Sequence, residues 1–298
     1  EPWIQYRPLC SICSLCLCFS YELCDLCKGR HQEQGSFRND KMRGNGGFPF
    51  VGFTEEDKER IQIIISDVDD TITKNGKLYP DVLEAMWRIK ASGRTIILVT
   101  GGSVGWADAY LRQWPVDAVI AESGAVMICH SKEDDVVHIV NPAIEKEEVF
   151  NKRRLLLEKT EGLPLSSDQC ARVFDIAYDK KKMNEFEIKA LKSTLTLYGA
   201  SWAESSIHIN AWFGDYDKQK SLEFFFQGPL DINKEEYMEH SLYLGDSFND
   251  QPLFKYIPTS IGMHTVAERR DEFETLPTYI TEGGPGDGWC QMAKALLD

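Results

Sequence analysis

Three apolar runs along the chain each stop at polar residues that are suited to chemistry. Residues 61–66 end in the acidic sequence DVDD, residues 95–99 end at Thr100, and residues 241–244 end in GDSFND. Short β-branched apolar runs predict strands that are buried on both faces of a sheet. Because ligands in an open α/β sheet bind at the carboxyl ends of the strands, we expect the three polar ends to meet at one site.

The remaining pattern predicts an α/β core interrupted by a second unit. Residues 81–92 and 106–114 have helical periodicity, residues 117–121 predict a strand, and residues 125–130 with 136–140 predict a hairpin. From residue 142 to residue 213 the order is helix, strand, helix, strand. These four elements are predicted at residues 145–160, 172–178, 184–198 and 207–212.

We therefore predict a Rossmann-like, mostly parallel sheet core with an inserted α+β cap domain. The core comprises residues 53–141 and 214–298, and the cap comprises residues 142–213. The core ends with two further strands, at 259–262 and 278–281. Residues 1–52 are predicted to be irregular. A cap over an active site excludes water and selects the substrate.

The acids at the strand ends suit a Mg²⁺ ion, which prefers oxygen ligands and keeps several waters. The candidate metal ligands are Asp67, Asp69, Asp246 and Asp250. The alternative is a strand followed by an ordinary Asp-rich turn, since aspartate is common in turns and helix caps. The recurrence of polar strand ends at three places favours the site over the turn.

The same residues suit phosphoryl transfer. A carboxylate can attack phosphorus, and Asp69 lies two positions after Asp67, on the same face of an extended chain, where it could protonate the leaving oxygen. Lys218 is the candidate for neutralising the transferred phosphoryl group, with Lys220 in reserve. Thr100 and Gly101, at the start of a helix, suit phosphate oxygens; Asn249 is a further candidate phosphate contact.

Four of these pieces resemble, in order, the motifs of the haloacid dehalogenase-like superfamily. They are DVDDT, the strand-end Thr100, the lysine of KQKSL and GDSFND. Within the superfamily the chain is similar to subfamily IIB, which includes Cof-type, sucrose-phosphate and mannosyl-3-phosphoglycerate phosphatases. The runs WPVDAVIAESGAVM and SSIHINAWFGDYDK strengthen this likeness, which covers about residues 53–298.

The resemblance implies a Mg²⁺-dependent phosphatase with a C2-type cap. It implies that Asp67 is the nucleophile, that Asp69 is the general acid and base, and that Thr100 and Lys218 bind phosphate. Asp246 and Asp250 fall on the acidic positions of the fourth motif. The chain departs from many relatives at Gly102, where they carry arginine, so a substrate contact by such an arginine is not expected here.

The cap strand predicted at 207–212 is the candidate for substrate selection. Ser206, His208 and Asn210 alternate along the chain, so they share one face, and a polar face suits a sugar or another hydroxylated group. The alternative is a solvent-facing strand, because any half-buried strand shows the same alternation. Asp168, in a predicted loop, is a weaker candidate.

The N-terminal region carries six of the nine cysteines within residues 10–27. Two C-x-x-C pairs, Cys10 with Cys13 and Cys24 with Cys27, could bind a structural Zn²⁺. The alternatives are translated sequence upstream of Met42, disorder, and a disulfide or targeting element. No signal peptide or membrane span is expected, because the apolar run is short and lacks a basic flank.

Charge and composition narrow the partners. A net charge of −14 argues against binding to nucleic acid or to an anionic membrane. Both partners are polyanions and require a basic surface, which the sequence does not indicate. We expect a cytoplasmic enzyme acting on a small phosphorylated metabolite; the pattern does not indicate an oligomeric state. Two alternatives remain open: a phosphotransferase or phosphomutase with the same motifs, and a catalytically silent sugar-phosphate-binding regulator.

Overall fold

Two sheets organise the described part of the chain, which in this computed structural model comprises residues 46–131, 133–205, 207–228 and 233–298. The larger sheet has nine strands in the order β1-β12-β11-β10-β2-β3-β4-β5-β6, and the smaller has three in the order β7-β9-β8. The strands are β1 Phe48–Pro49, β2 Ile63–Ser66, β3 Thr95–Val99, β4 Ala118–Ala121, β5 Val126–His130, β6 Val136–Val140, β7 Ile176–Asp179, β8 Ser201–Glu204, β9 His208–Trp212, β10 Ser241–Gly245, β11 Thr259–Gly262 and β12 Tyr279–Ile280.

Helices cover both faces of the larger sheet and flank the smaller one. The helices are α1 Glu55–Arg60, α2 Pro80–Ala91, α3 Val104–Gln113, α4 Lys146–Lys159, α5 Glu185–Leu197, α6 Lys218–Gln227, α7 Lys234–His240, α8 Gln251–Tyr256, α9 His264–Glu268 and α10 Asp287–Leu297. Among the described residues, no helix combines the length and apolar character needed to cross a bilayer.

In sheet order, all neighbouring strands from β1 across to β4 are parallel. The last two strands, β5 and β6, pair antiparallel. Its centre is β10-β2-β3, in which Leu242 is opposite Ile64 and Ile64 is opposite Ile96. The predicted fold class, a mostly parallel α/β sheet of Rossmann-like type, is therefore confirmed.

The sequence of β2 explains why this strand is central. Ile64 packs into one apolar cluster and Ile63 and Ile65 into the other, on the opposite face of the sheet. All three side chains are 3% exposed or less, so a run of isoleucines satisfies both faces. Asp67 is the first residue after the strand, and it is therefore delivered to the carboxyl edge of the sheet.

The segment between β6 and α6 forms what we call the inserted unit, residues 146–212. Its antiparallel sheet pairs β7 and β8 with the central β9, and helices α4 and α5 accompany the sheet. Helix α5 begins with a capping box, in which the side chains of Asn184 and Glu187 each accept a hydrogen bond from the other residue's backbone N–H.

Three strands differ from the sequence prediction. Residues 48–49, in the segment predicted to be irregular, form β1 and pair with β12. The strand predicted at 172–178 begins only at Ile176, because the backbone N–H groups of residues 173–175 donate to a buried carboxylate instead of a neighbouring strand. Strand β8 was not predicted; its residues follow the helix directly after a glycine turn.

A tight turn at Glu122, Ser123 and Gly124 brings helix α6 close to the core. All three residues have positive φ, at 48°, 58° and 115°. A Cβ atom on Gly124 would lie 2.0 Å from Ser221 Oγ, which is on α6. Only glycine allows this approach, so the turn determines how closely the start of α6 comes to the sheet.

We expect Gly124→Ala to lower the free energy of unfolding by about 3 kcal/mol or more, because it adds overpacking to left-handed backbone strain. Urea denaturation measures this change. Gly76→Ala is the matched control, since Gly76 has φ +70° but nothing within 4 Å of an added Cβ; it should cost about 1 kcal/mol. Equal losses in the two variants would contradict the close-approach argument.

Candidate active site

Three neighbouring parallel strands deliver the polar residues to one cavity. Asp67 follows β2, Thr100 follows β3 and Asp246 follows β10, and these strands are adjacent in the sheet. The cavity lies between this edge and the inserted unit and has a volume of about 30 Å³. Its lining residues are Asp67, Asp69, Thr100, Gly101, Ser205, Ile207, His208, Asn210, Asp246, Ser247 and Asn249.

Lys218 joins two buried carboxylates at the floor of the site. Its Nζ lies 2.6 Å from Asp67 Oδ1 and 2.8 Å from Asp250 Oδ1. The side chain of Lys218 is 4% exposed and that of Asp250 is fully buried. Burial opposes the charged form of Lys218, but Asp250 and Asp67 together hold its pKa above the ordinary value. The lysine is therefore an ammonium at neutral pH.

Helix α6 positions this lysine. Asp217 is the N-cap, and its Oδ1 accepts a hydrogen bond of 2.8 Å from Lys220 N. Lys218 is thus the first residue of the helix and its side chain points toward the sheet edge. Lys220, the reserve candidate, instead pairs with Asp215 at the surface, where its side chain is 52% exposed. Of these two lysines, Lys218 is the one that contacts Asp67.

Asp250 has every carboxylate oxygen occupied by protein donors. Oδ1 accepts from Lys218 and from Tyr243 Oη, the latter at 2.6 Å. Oδ2 accepts from the backbone N–H groups of Asp246 and Ser247 at 3.0 and 3.1 Å. Asp250 therefore holds the loop that carries Asp246 as well as orienting Lys218. A Cβ on Gly245 would lie 2.6 Å from the Asp250 carboxyl carbon, so the loop requires glycine there.

Asp67, Asp246 and Asp250 form a cluster of carboxylates close enough together to hold a metal ion. One carboxylate oxygen from each lies within 4.8 Å of the others. Within the described residues this is the group that the geometry identifies, and the carboxylate of Asp69 is not part of it. Burial raises the pKa of Asp67 to about 7, against the opposing effect of Lys218. Burial, together with Asp250 and Asp67, raises the pKa of Asp246 well above its usual range.

Asp69 lines the same cavity from the turn that follows β2. The next residue, Asp70, has φ 58°, so the chain reverses direction there. Burial and then the neighbouring Asp70 raise the pKa of Asp69. A carboxyl group with a raised pKa retains its proton to a higher pH than an ordinary aspartate, which suits proton donation.

The loop after β3 presents a hydroxyl to the cavity. The Gly102 N–H donates to Thr100 Oγ1 at 2.9 Å, so the hydroxyl is oriented by its own loop. Ser103 then caps helix α3 by accepting from Trp106 N at 3.3 Å. Thr100 and Gly101 therefore lie directly before a helix N-terminus, an arrangement that favours anions.

The inserted unit supplies the opposite wall of the cavity. His208 and Asn210, on β9, line the cavity. Ser205 and Ile207, which precede the strand, also line it, and Ser206 lies outside the described residues. Burial and then Arg172 lower the pKa of His208, so its imidazole is neutral at neutral pH. The Asn210 amide is already engaged: Nδ2 donates to Gly101 O at 2.9 Å and to Asp175 Oδ2 at 2.8 Å.

Several residues that shape the site were not identified from the sequence. Tyr243 lies within the apolar run at 241–244, Arg172 and Asp175 lie within the strand predicted at 172–178, and Glu122 lies between two predicted strands. The period of two that singled out His208 carries no information about charges on a neighbouring segment. The zinc prediction at Cys10, Cys13, Cys24 and Cys27 lies outside the described residues.

Comparisons with known proteins agree with this arrangement. A family model for haloacid dehalogenase-like hydrolases matches residues 64–163. A phosphoglycolate phosphatase of Nitrosopumilus maritimus is 24% identical over 242 residues, which is 77% of this chain and 94% of the relative. Among solved structures, a HAD/Cof-like hydrolase from Plasmodium vivax has a TM-score of 0.62 at 12% identity, covering 82% of this chain and 99% of that one.

A HAD subclass IIB sugar phosphatase has a TM-score of 0.54 at 17% identity, covering 79% of this chain and 97% of that protein. At these identities the two solved structures establish a shared fold. Both alignments extend over nearly the whole of the other chain.

We expect Lys218→Met to lower the free energy of unfolding at pH 7 by about 3–5 kcal/mol, because it leaves two buried carboxylates without their cation. The measurement is chemical denaturation followed by circular dichroism. Lys220→Met is the matched control, since it breaks only an exposed ion pair, and it should change stability by less than about 1 kcal/mol. Similar effects of the two substitutions would contradict the role of Lys218 as a buried counter-ion.

Proposed function

We propose that the chain is a phosphatase of the haloacid dehalogenase-like superfamily and that it hydrolyses a small phosphomonoester through an aspartyl-phosphate formed on Asp67. The observation that carries this proposal is the contact between Lys218 Nζ and Asp67 Oδ1 at 2.6 Å. Asp67 lines the cavity together with Asp69 and Thr100. A nucleophilic carboxylate, a proton donor and phosphate-binding groups thus surround one small space.

We propose that Mg²⁺ binds beside Asp67 and Asp246. The fit rests on the donor set, which consists of hard carboxylate oxygens within 4.8 Å of one another, with Lys218 as the ammonium that contacts the group. Asp250 completes the group, but its oxygens are occupied by protein donors, so its role is to position Asp246. When bound, the ion would neutralise phosphate oxygens and make phosphorus more electrophilic.

The chemistry then divides between two carboxyl groups. Asp67 attacks phosphorus, the bond from phosphorus to the ester oxygen breaks, and Asp69 gives its proton to that oxygen as the alcohol leaves. Asp69, now a carboxylate, takes a proton from water as the water attacks the phosphoryl group. The acyl phosphate is cleaved, and inorganic phosphate and free Asp67 are released.

Lys218 and Thr100 keep the reacting groups in place. The ammonium fixes one oxygen of Asp67 and lies close enough to offset negative charge that moves onto the phosphoryl group. Thr100 Oγ1 accepts the Gly102 N–H, so its own proton is directed away from the loop and is available to a phosphate oxygen. Gly101 and Asn249 would add contacts to the phosphoryl group.

We propose that residues 142–213 are a C2-type cap on a core of residues 53–141 and 214–298. The cap wall favours a neutral, hydroxylated leaving group. Its described lining residues, Ser205, Ile207, His208 and Asn210, carry no positive charge at neutral pH to meet a second anion.

Phosphate release from a panel of phosphorylated compounds tests the function. The panel includes small sugar and polyol phosphates, phosphoglycolate and a generic aryl phosphate, each with and without Mg²⁺. We expect Mg²⁺-dependent release by the wild type and a loss of at least about 1,000-fold in Asp67→Asn, because an amide is a far weaker nucleophile. Asp215→Asn, at an exposed acid, is the matched control and should retain activity.

The other outcomes identify the alternatives. No release from any compound, but transfer to an added alcohol, would indicate a phosphotransferase. Binding without turnover would indicate a silent regulator, and full activity in Asp67→Asn would refute the assigned nucleophile. In the same panel, His208→Ala should change the preference among substrates more than it changes hydrolysis of the generic ester. Equal losses on every compound would argue against a selective cap wall.

Mg²⁺ should stabilise the protein more at pH 8 than at pH 6. The folded pKa of Asp67, raised to about 7, exceeds its ordinary value of 3.8. Without metal, protonated Asp67 contributes to the free energy of unfolding in acid, and this contribution is lost as the pH rises through about 7. Below that pH, Mg²⁺ must displace a proton, which weakens binding by up to about tenfold per pH unit.

Thermal unfolding with Mg²⁺ or with a chelator, at both pH values, measures this effect. Asp246→Asn should remove most of the Mg²⁺-induced rise in Tm, and Asp215→Asn should preserve it. An equal rise at pH 6 and pH 8 would show that the ion does not compete with a proton at Asp67. An undiminished rise in Asp246→Asn would place the ion elsewhere.

A further inference from the structure

A buried charged cluster outside the cavity is not used by the chemistry described above. Its members are Glu122 from the core and Asp168, Arg172 and Asp175 from the inserted unit. The side chains of Arg172 and Asp175 are 1% and 0% exposed, and that of Asp168 is 12% exposed. Burying charged groups costs free energy. We therefore ask which parts of the structure this cluster holds together.

Glu122 binds the core and the inserted unit at the same time. Oε1 accepts from Val104 N at 3.1 Å and Val173 N at 2.9 Å. Oε2 accepts from Phe174 N at 2.6 Å and Asp175 N at 3.0 Å. Val104 is the first residue of α3, directly after the loop that carries Thr100. One carboxylate therefore fixes the end of this loop against residues 173–175.

Arg172 reaches the middle of the same loop. Its Nη1 donates to Gly101 O at 3.0 Å, and Nη1 also contacts both oxygens of Asp175 at 2.9 Å. Its Nε and Nη2 pair with the two oxygens of Asp168. Asn210 Nδ2 is a second donor to Gly101 O, at 2.9 Å. Both donors to this carbonyl come from the inserted unit.

The peptide between Gly101 and Gly102 connects these donors to the cavity. Its carbonyl oxygen accepts from Arg172 and Asn210, and its N–H donates to Thr100 Oγ1 at 2.9 Å. Because a peptide is planar, the two ends cannot turn independently. Release of the carbonyl would therefore free the N–H that orients the Thr100 hydroxyl.

We propose that Arg172 is a positioning residue for phosphate binding: docking of residues 168–175 on the core holds the Gly101 peptide so that Thr100 presents its hydroxyl to the phosphoryl group. This inference rests on the proposed role of Thr100 as a phosphate ligand. The inserted unit thus does more than cover the site, since it completes the loop that binds the group common to all substrates. Loss of docking should impair every phosphate ester alike.

A close contact in the same joint provides a test that leaves all charges in place. A Cβ on Gly105, in the first turn of α3, would lie 2.7 Å from Ala171 Cβ. Gly105→Ala favours the helix itself but pushes residues 168–175 away from the core. The double variant Gly105→Ala with Ala171→Gly removes the clash and should restore docking.

Amide hydrogen exchange in the full-length protein measures the coupling without requiring turnover. In Gly105→Ala we expect exchange at Gly102 and Val104 to be about tenfold faster than in the wild type, and the double variant to recover. Arg172→Lys, which retains a positive charge but loses the planar fork, should show the same change. Arg112→Met, which breaks an exposed ion pair to Asp108 on the same helix, is the control and should show none.

Faster exchange confined to residues 173–175, with Gly102 unchanged in both Gly105→Ala and Arg172→Lys, would overturn the proposal and leave the cluster a purely structural role. For the active enzyme, both variants should weaken inhibition by inorganic phosphate and lower kcat about tenfold on the generic and the preferred ester alike. Unchanged phosphate inhibition in folded variants would also overturn it. A wild type inactive on every ester would refute the proposed function, whereas the exchange data would still decide the coupling.

Discussion

The site depends on one buried ammonium shared by two carboxylates. Asp67 directly follows β2 and Asp250 lies in the turn after the adjacent strand β10. Two such anions cannot both remain charged in a poorly solvated space without a cation between them. Lys218 supplies that charge from the first turn of a helix. This position requires the close approach of helix α6 to Gly124. The backbone geometry of one turn therefore determines whether the ammonium can reach the two carboxylates.

That same turn also explains how the two sheets are joined. Ser123 N donates to Thr100 O, and Glu122 accepts backbone N–H groups from both α3 and residues 173–175. A short segment with left-handed backbone angles thus contacts the loop after β3, helix α6 and the inserted unit. Strain at such a turn persists because the surrounding contacts determine its conformation.

The distribution of charge divides the cavity into two functional walls. The core wall carries Asp67, Asp69 and Asp246, whose raised pKa values reflect burial and mutual repulsion. The opposite wall is neutral, because the positive charge of Arg172 is balanced by its ion pairs with Asp168 and Asp175. This division of charge is the basis of our proposal that the core wall binds a cation and the opposite wall meets hydroxyl groups of a phosphomonoester.

The sequence by itself determined the central strands and the acids at their ends. Short apolar runs specify strands buried on both faces, and parallel strands end at one edge, so the sequence predicts the meeting of Asp67 with Asp246. The partners of Arg172 and Glu122 were decided only by the tertiary structure. Hydrogen bonds between segments distant in sequence leave no periodic signal, and alternation could assign Asn210 to a face but not to the carbonyl that it contacts.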